Sequence, residues 1–352
     1  MNPTILPSAR RVIRIAQAPT HQVKHRAKIL QHWRTGFQAG FFVLFILAPV
    51  FNLLRYDLFA GHAWFLGMPW HIGLDDFAGG RIGAAEAAGL VILKILLPVV
   101  ATVVGVLGIA WRWGRLYCGW LCPHFSVVET VNRLMRRANG KHSVWDAAPG
   151  PLLHDGDERW LIKPDGRTER IDARWWLVVL PFAVSFAFVW AVVLLTYLLP
   201  PFEIYHNLLN AELSRNQALF IGVATLVLSF EFLFARHLFC RYGCAVGIMQ
   251  SVAWIANRRA MVVGFARERA ADCATCPQQL GAGETACADV CPMRLNPRDL
   301  KRRMFACTQC AQCVLACSQI QADKPQGSLL SWTAGDIAAR REGGFAHQRD
   351  GD

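Results

Sequence analysis

Four apolar stretches, each long enough to cross a bilayer, constrain this chain more than any other feature of its sequence. They run roughly over residues 36–54, 87–111, 175–199 and 219–235, and about 20 apolar residues span a hydrocarbon core. Pro98 and Pro181 fall inside them, which membrane helices tolerate when neighbouring groups satisfy the freed carbonyls. The mean hydropathy is +0.27 although charged residues make up 18% of the chain, so the apolar residues are gathered into blocks. The expected fold is an α-helical integral membrane protein, with a four-helix membrane domain over residues 36–260 behind a basic arm at 1–35.

Charge orients the blocks. The arm carries seven Lys/Arg and no acid, and eleven more lie between the second and third stretches. The loops after the first and third stretches hold only Arg55 and Arg81, and Arg215, respectively. By the positive-inside rule both termini face the cytoplasm. The arm has no short apolar core followed by a small-residue cleavage site, so it does not read as a signal peptide. It is expected to divide its time between solvent and anionic membrane lipid. A net charge of +12 could also suit nucleic acid, but no nucleic-acid-binding signature accompanies it, so nucleic acid is not an expected partner.

The cysteines supply the chemistry. Eight of twelve lie between Cys273 and Cys317. Cys307, Cys310, Cys313 and Cys317 follow the C-x2-C-x2-C-x3-C spacing of bacterial ferredoxins, in which the fourth cysteine of each run serves the other cluster. Cys273, Cys276, Cys287 and Cys291-Pro292 make the partner run, widened by a ten-residue gap between Cys276 and Cys287. The spacing predicts two [4Fe-4S] clusters, one on Cys273, Cys276, Cys287 and Cys317, the other on Cys291, Cys307, Cys310 and Cys313. Disulfide scaffolds belong to small secreted domains, and structural zinc needs only two pairs of ligands. Closing a longer loop costs little entropy, so the widened run is expected to keep its cluster. A ferredoxin-like α+β domain is therefore expected at 261–325, with a polar tail at 326–352.

The other four cysteines form a repeat. Cys118 and Cys122 follow the second stretch, and Cys240 and Cys244 follow the fourth, 122 residues later. The repeats, 115–137 and 237–259, each end in a basic pair, Arg136-Arg137 and Arg258-Arg259. If each C-x3-C turn is helical, its two cysteines face the same way, and the two pairs can converge on one pseudo-symmetric site where helices leave the membrane. Soft thiolates suit a third iron–sulfur cluster or Cu(I), or a dithiol–disulfide couple; simple packing of buried cysteines is the bland alternative. Pro123 follows the first pair and Ala245 the second.

The Tyr117-Cys118-Gly119-Trp120-Leu121-Cys122-Pro123 segment, its partner around Cys240 and Cys244, and the double cysteine run behind four spans resemble the membrane polyferredoxins. The resemblance is to the cytochrome c oxidase accessory type (FixG/CcoG/RdxA), over roughly residues 36–325, and Asp57-Leu58-Phe59 with Trp64-Phe65-Leu66-Gly67 resembles that family's first outer loop. The maturation proteins of nitrate and nitrous-oxide reductases (NapH/NosR) share the same core. The resemblance implies a multi-pass protein of the bacterial inner membrane. It also implies electron transfer through the tail clusters and a membrane-edge redox or metal site at Cys118, Cys122, Cys240 and Cys244, reducing Cu(II) to Cu(I) for assembly of a cbb-type oxidase. The alternatives are a quinol- or ferredoxin-linked relay subunit for a partner reductase, or a maturation factor that holds copper or a cluster for delivery. Redox partner proteins and oxidase assembly factors are the partners it implies. The 35 residues after Cys317 are expected to hold neither the fifth span nor the outward immunoglobulin-like domain of that family.

Other residues invite roles. Lys94, deep in the second stretch, is either functional or snorkels outward. Glu231 either relays protons or sits in the interface. His62, His71 and His206, with Met68, fall on outward loops where copper or quinol could bind, although scattered surface histidines are commoner. Trp64, Trp70 and Tyr205 suit an aromatic belt. No Gly-rich nucleotide fingerprint and no C-x-x-C-H motif occurs, so neither NAD or FAD nor covalent haem is expected.

Overall fold

The structure is a computed structural model, described here for residues 21–141, 143–145, 152–155, 158–164, 166–276, 285–322 and 324–343. Four helical segments are long and apolar enough to cross a membrane: Ile29–Val50, Ala84–Trp113, Ala173–Thr196 and Arg215–Ala235. They coincide with the four apolar blocks, displaced by a few residues at their ends.

The first segment lies within α1 (His21–Val50). A three-stranded antiparallel sheet follows, β1 (Leu54–Asp57), β2 (His62–Phe65) and β3 (Met68–Trp70), then the short α2 (Leu74–Ala78). The second span comprises α3 (Ala84–Val91), a π turn at Ile92–Leu96 and α4 (Leu97–Trp113). The third is α7 (Trp176–Thr196), and α8 (Pro201–Leu209) leads to the fourth, α9 (Arg215–Phe230) with a π turn at Glu231–Ala235. Ser214 starts α9 with a reciprocal capping box to Gln217, satisfying two donors that the helix itself leaves open.

Side-chain size sets the packing. Along α7, Val179, Ala183, Ala187 and Ala191 recur every fourth residue and are fully buried. Small side chains on one helix face let backbones approach where lipid offers no hydrophobic drive. Phe45 of α1 lies 4.8 Å from Trp190 and 5.5 Å from Tyr197, centroid to centroid. Tyr197 also donates its hydroxyl to the Phe45 carbonyl at 2.9 Å. By contrast the second span is almost wholly exposed, as a helix facing hydrocarbon would be.

The two ends of the bundle differ. At one, Tyr56 and Leu58 donate backbone N–H groups to the carbonyls of Tyr197 and Leu198 at 2.9 and 3.1 Å, which fixes the β1–β3 sheet beside the end of α7. At the other lie α5 (Leu116–Trp120), α6 (Pro123–Asn139), a sheet of β4 (Leu152–Asp155), β5 (Glu158–Ile162) and β6 (Thr168–Arg170), and α10 (Ala245–Ala256). The β4–β6 sheet occupies what the sequence presents only as a charged loop.

The cysteine-rich segment joins that second end. It holds β7 (Met261–Phe265), α11 (Ala286–Asp289) and α12 (Gln312–Ile320). The expected boundary at 325 is corrected: β8 (Leu330–Ala334) pairs antiparallel with β7 along its whole length, and α13 (Gly335–Gly343) packs beside it. The alternation around Trp332 is too short to stand out as a strand until β7 supplies its partner. Arg34 is a second correction. It belongs to the arm expected to lie in solvent or on lipid, yet it is 1% exposed.

Candidate functional site

Each C-x3-C pair straddles a break between helices, so the expected continuous helical turn does not form. Cys118 lies in α5, whereas Cys122 is the N-cap of α6 at φ −61°, ψ 116°. Cys240 lies in a π turn at Phe239–Gly243, and Cys244 is the N-cap of α10 at φ −81°, ψ 106°. Pro123 accounts for the first break, since proline suits the first turn of a helix but cannot continue one. Ala245 reaches the same geometry through the π turn. Cys122 and Cys244 therefore cap the positive ends of two helices, a setting that favours a thiolate or an anionic group.

The pairs come together. Charge on Cys118 disfavours charge on Cys122 and Cys240, and Cys244 acts likewise on Cys118 and Cys122. Burial pushes the Cys122 thiol up to about 12 and those of Cys118 and Cys240 above their ordinary value. Thiols so buried ionise only with a compensating positive charge or a bound metal.

Arg115 supplies a charge of that kind. It is 1% exposed, it donates Nη2 to the Cys240 carbonyl at 2.8 Å, and its side chain also hydrogen-bonds the Cys118 thiol. Its charge lowers the thiols of Cys118, Cys240 and Cys307 alike. A β-carbon at Gly247 would overlap its Nη2, so glycine makes room for it there. A buried guanidinium without a counter-charge is costly, and thiolate character on these cysteines would offset it. Four thiolates gathered in this way are a donor set that soft metal centres, iron–sulfur clusters and Cu(I) alike, accept.

Two further groups reach Cys240 and Cys118. His124 Nδ1 lies 3.5 Å from the Cys240 sulfur, and its Nε2 lies 2.8 Å from Glu231 Oε2. The expectation that Glu231 sits in the interface is thereby corrected: it is 9% exposed and turned inward, by the π turn that begins with it, onto His124. Gln250 Oε1 lies 3.3 Å from the Cys118 sulfur.

In the tail the cysteines group as two sets. Cys291, Cys307, Cys310 and Cys313 line one small cavity with Met293, Leu295 and Met304. In the other set, Cys317 raises the thiols of Cys273 and Cys287 by its charge, and Cys276 also raises Cys287. Burial pushes Cys291 and Cys307 up to about 12 and Cys287 to about 11. Backbone N–H groups are aimed at the sulfurs: Ala286 to Cys276 at 3.2 Å, Leu295 to Cys291 at 3.4 Å and Leu329 to Cys317 at 3.3 Å. Such N–H···S bonds stabilise thiolates and tune cluster potentials. Most of the insertion between Cys276 and Cys287, residues 277–284, lies outside the described residues.

The two cysteine regions touch. A β-carbon on Gly119, between Cys118 and Cys122, would overlap the Thr308 carbonyl oxygen. Trp120 donates its indole N–H to the Gln309 carbonyl at 3.0 Å. Thr308 and Gln309 are the residues between Cys307 and Cys310, so the first C-x3-C motif lies directly against the loop that carries two of the tail cysteines. A buried network frames the contact. Arg34 pairs with Glu129 of α6, donates Nε to the Gly119 carbonyl at 2.8 Å and lowers the Cys310 thiol by its charge. Gln312 of α12 donates to the same Glu129.

The outward residues assemble less. Lys94 reaches out of its π turn and donates Nζ to the His71 carbonyl at 2.7 Å, the snorkelling arrangement. The His62 and His71 rings lie 4.7 Å apart across the β2–β3 hairpin, while His206 hydrogen-bonds Asn210. Arg115, His124, Glu129 and Arg34 were not singled out by sequence reasoning. Arg115 opens the first repeat and His124 follows Pro123, but the matching positions, His237 and Val246, differ in kind and give no paired signal.

A family model described as a 4Fe-4S binding domain matches residues 95–142 and 216–260, the two segments that carry the C-x3-C pairs. A protein of Escherichia coli (strain K12) named as an electron transport protein, YccM, is 24% identical over 277 residues, covering 75% of this chain. The match spans 66% of that relative's length. No solved structure matches.

Proposed function

We propose that this protein is a membrane-bound iron–sulfur electron-transfer protein, in which two tail clusters exchange electrons with a third cluster held by Cys118, Cys122, Cys240 and Cys244. The observation that carries this reading is the direct contact of Gly119 and Trp120 with Thr308 and Gln309. One-electron transfer is the chemistry such clusters supply when bound. The chain's own part is to hold the thiolates and to bury Arg115, whose charge acts on Cys118, Cys240 and Cys307. Two cysteines of one tail set, Cys273 and Cys317, are only partly buried, against Cys307 alone in the other, so the first set is the better exchange point with a soluble partner. The match of a 4Fe-4S family to both C-x3-C segments supports a cluster there over copper, and the name of the bacterial relative agrees with electron transport.

The finer reading follows from the resemblance. The protein sits in a bacterial inner membrane with both termini cytoplasmic, and its acceptor is Cu(II) destined for a cbb-type oxidase. An electron-relay subunit for a partner reductase is the alternative acceptor side. Iron and acid-labile sulfide on anaerobically purified protein test the core of the proposal. About twelve irons per chain is the expected result for three cubanes, with four lost in Cys118→Ser. About eight irons, unchanged in that variant, would remove the membrane-edge cluster. Reduction of Cu(II) by dithionite-reduced protein, abolished in Cys118→Ser, tests the copper role separately.

A further inference from the structure

A cavity of about 650 Å³ opens between the end of α10, β7 and α13. Its walls include Arg258, Arg259, Lys301 and Arg340 against a single carboxylate, Asp336, and its floor is apolar, with Ile255, Val262 and Ala338. The charge is not cancelled internally. In the first repeat, Arg136 pairs with Asp289 and Arg137 with Glu169. The corresponding Arg258 and Arg259 are exposed and have no carboxylate partner among the described residues. Asp336 is already shared with Arg340 at 3.5 Å.

Lys301 forms the back of this space. It donates Nζ to the carbonyls of Trp254 and Asn257 at 2.8 and 2.6 Å and lies 4.9 Å from the Trp254 ring. An ammonium carries three N–H donors, so one remains for a ligand. Asn257 ties the rim to the second span by donating Nδ2 to the Trp111 carbonyl at 2.8 Å. Trp111 and Trp113 there are exposed, as aromatic side chains at a membrane–water boundary are. The cavity therefore lies at headgroup level, at the same end of the bundle as the tail.

We propose that this cavity binds a phosphate-bearing anion, supplied by the headgroup of an anionic phospholipid. The arginines meet the phosphate oxygens, which planar guanidinium groups match well, while the apolar floor takes the glycerol and upper acyl carbons. Basic pockets beside spans on the positive side hold anionic headgroups in this way. A free inorganic phosphate shares the charge but leaves the apolar floor uncovered.

The test uses the full chain in nanodiscs, with native mass spectrometry reading retained lipid. The expected result is one phosphatidylglycerol kept in preference to phosphatidylcholine. The double variant Arg258→Gln/Arg259→Gln should weaken that retention about thirtyfold, from the contribution of each basic residue near the surface. The pair Arg302→Gln/Arg303→Gln, outside the cavity, should leave retention unchanged, and equal iron content in all three proteins verifies folding. Displacement of the lipid by millimolar inorganic phosphate would keep the phosphate site but assign it a soluble source. Equal retention of the two lipids, or an unaltered preference in Arg258→Gln/Arg259→Gln, would overturn the proposal.

Discussion

Gly119 of the first C-x3-C segment lies so close to Thr308 of the tail that a single added carbon would overlap the Thr308 carbonyl oxygen. The contact is backbone against backbone, across 189 residues of sequence. Gly119→Ala should therefore displace the Cys307–Cys310 loop from the membrane edge while leaving each cysteine in place. The expected outcome is unchanged iron content with loss of magnetic interaction between a tail cluster and the membrane-edge site, read by EPR. A spectrum identical to wild type would show that the loop accommodates the methyl group and that the contact is not what sets the separation.

Arg115 carries the second prediction. A buried cation stabilises the more negative, reduced state of any cluster beside it. Arg115→Leu should lower the midpoint potentials of both the membrane-edge cluster and the cluster on Cys307, by about 60 mV or more each if the charge is worth about 1.4 kcal/mol. Arg115→Lys should restore most of that shift. Redox-poised EPR measures both values, and a change confined to one cluster would mean that the charge is not shared.

His124 and Glu231 form the third. Removing one partner of a buried hydrogen-bonded pair leaves the other unsatisfied, which costs about 1–3 kcal/mol. His124→Leu should lower the melting temperature in detergent by several degrees, and His124→Leu/Glu231→Leu should recover most of it. Additive losses in the double variant would deny the coupling.

A pH effect is expected at the β4–β6 sheet. Lys163 and Arg137, which lie 2.7 and 2.6 Å from Glu169, hold its carboxyl below the ordinary value, against a desolvation that acts the other way. A depressed carboxyl adds stability above its unfolded value of about 4.3, and that stability is lost as pH falls through the lower folded value. Hydrogen exchange in Trp160 and Leu161 should rise below pH ~4.3, and Glu169→Gln should remove the dependence.

How much of this could be read from the chain depended on the range of the interaction. The spans and the cysteine sets rest on composition and local spacing, so residues 219–235 and Cys307 to Cys317 announce themselves. Gly119 does not, because its reason is a carbonyl that only the tertiary fold brings near. His124 looks like an isolated histidine until the π turn at Glu231 aims a carboxylate at it. The strand at Leu330–Ala334 has no visible partner until β7 is laid beside it, and Arg34 reads as one more charge in a basic arm until Glu129 is placed across from it.

The Arg34–Glu129–Gln312 network also ties together distant parts of the chain. Arg34 comes from α1, Glu129 from α6 and Gln312 from α12, so none of the three segments can shift without disturbing the other two. The arm, the first repeat and the cysteine-rich tail are thereby locked to one another around the Gly119 carbonyl, which Arg34 also holds.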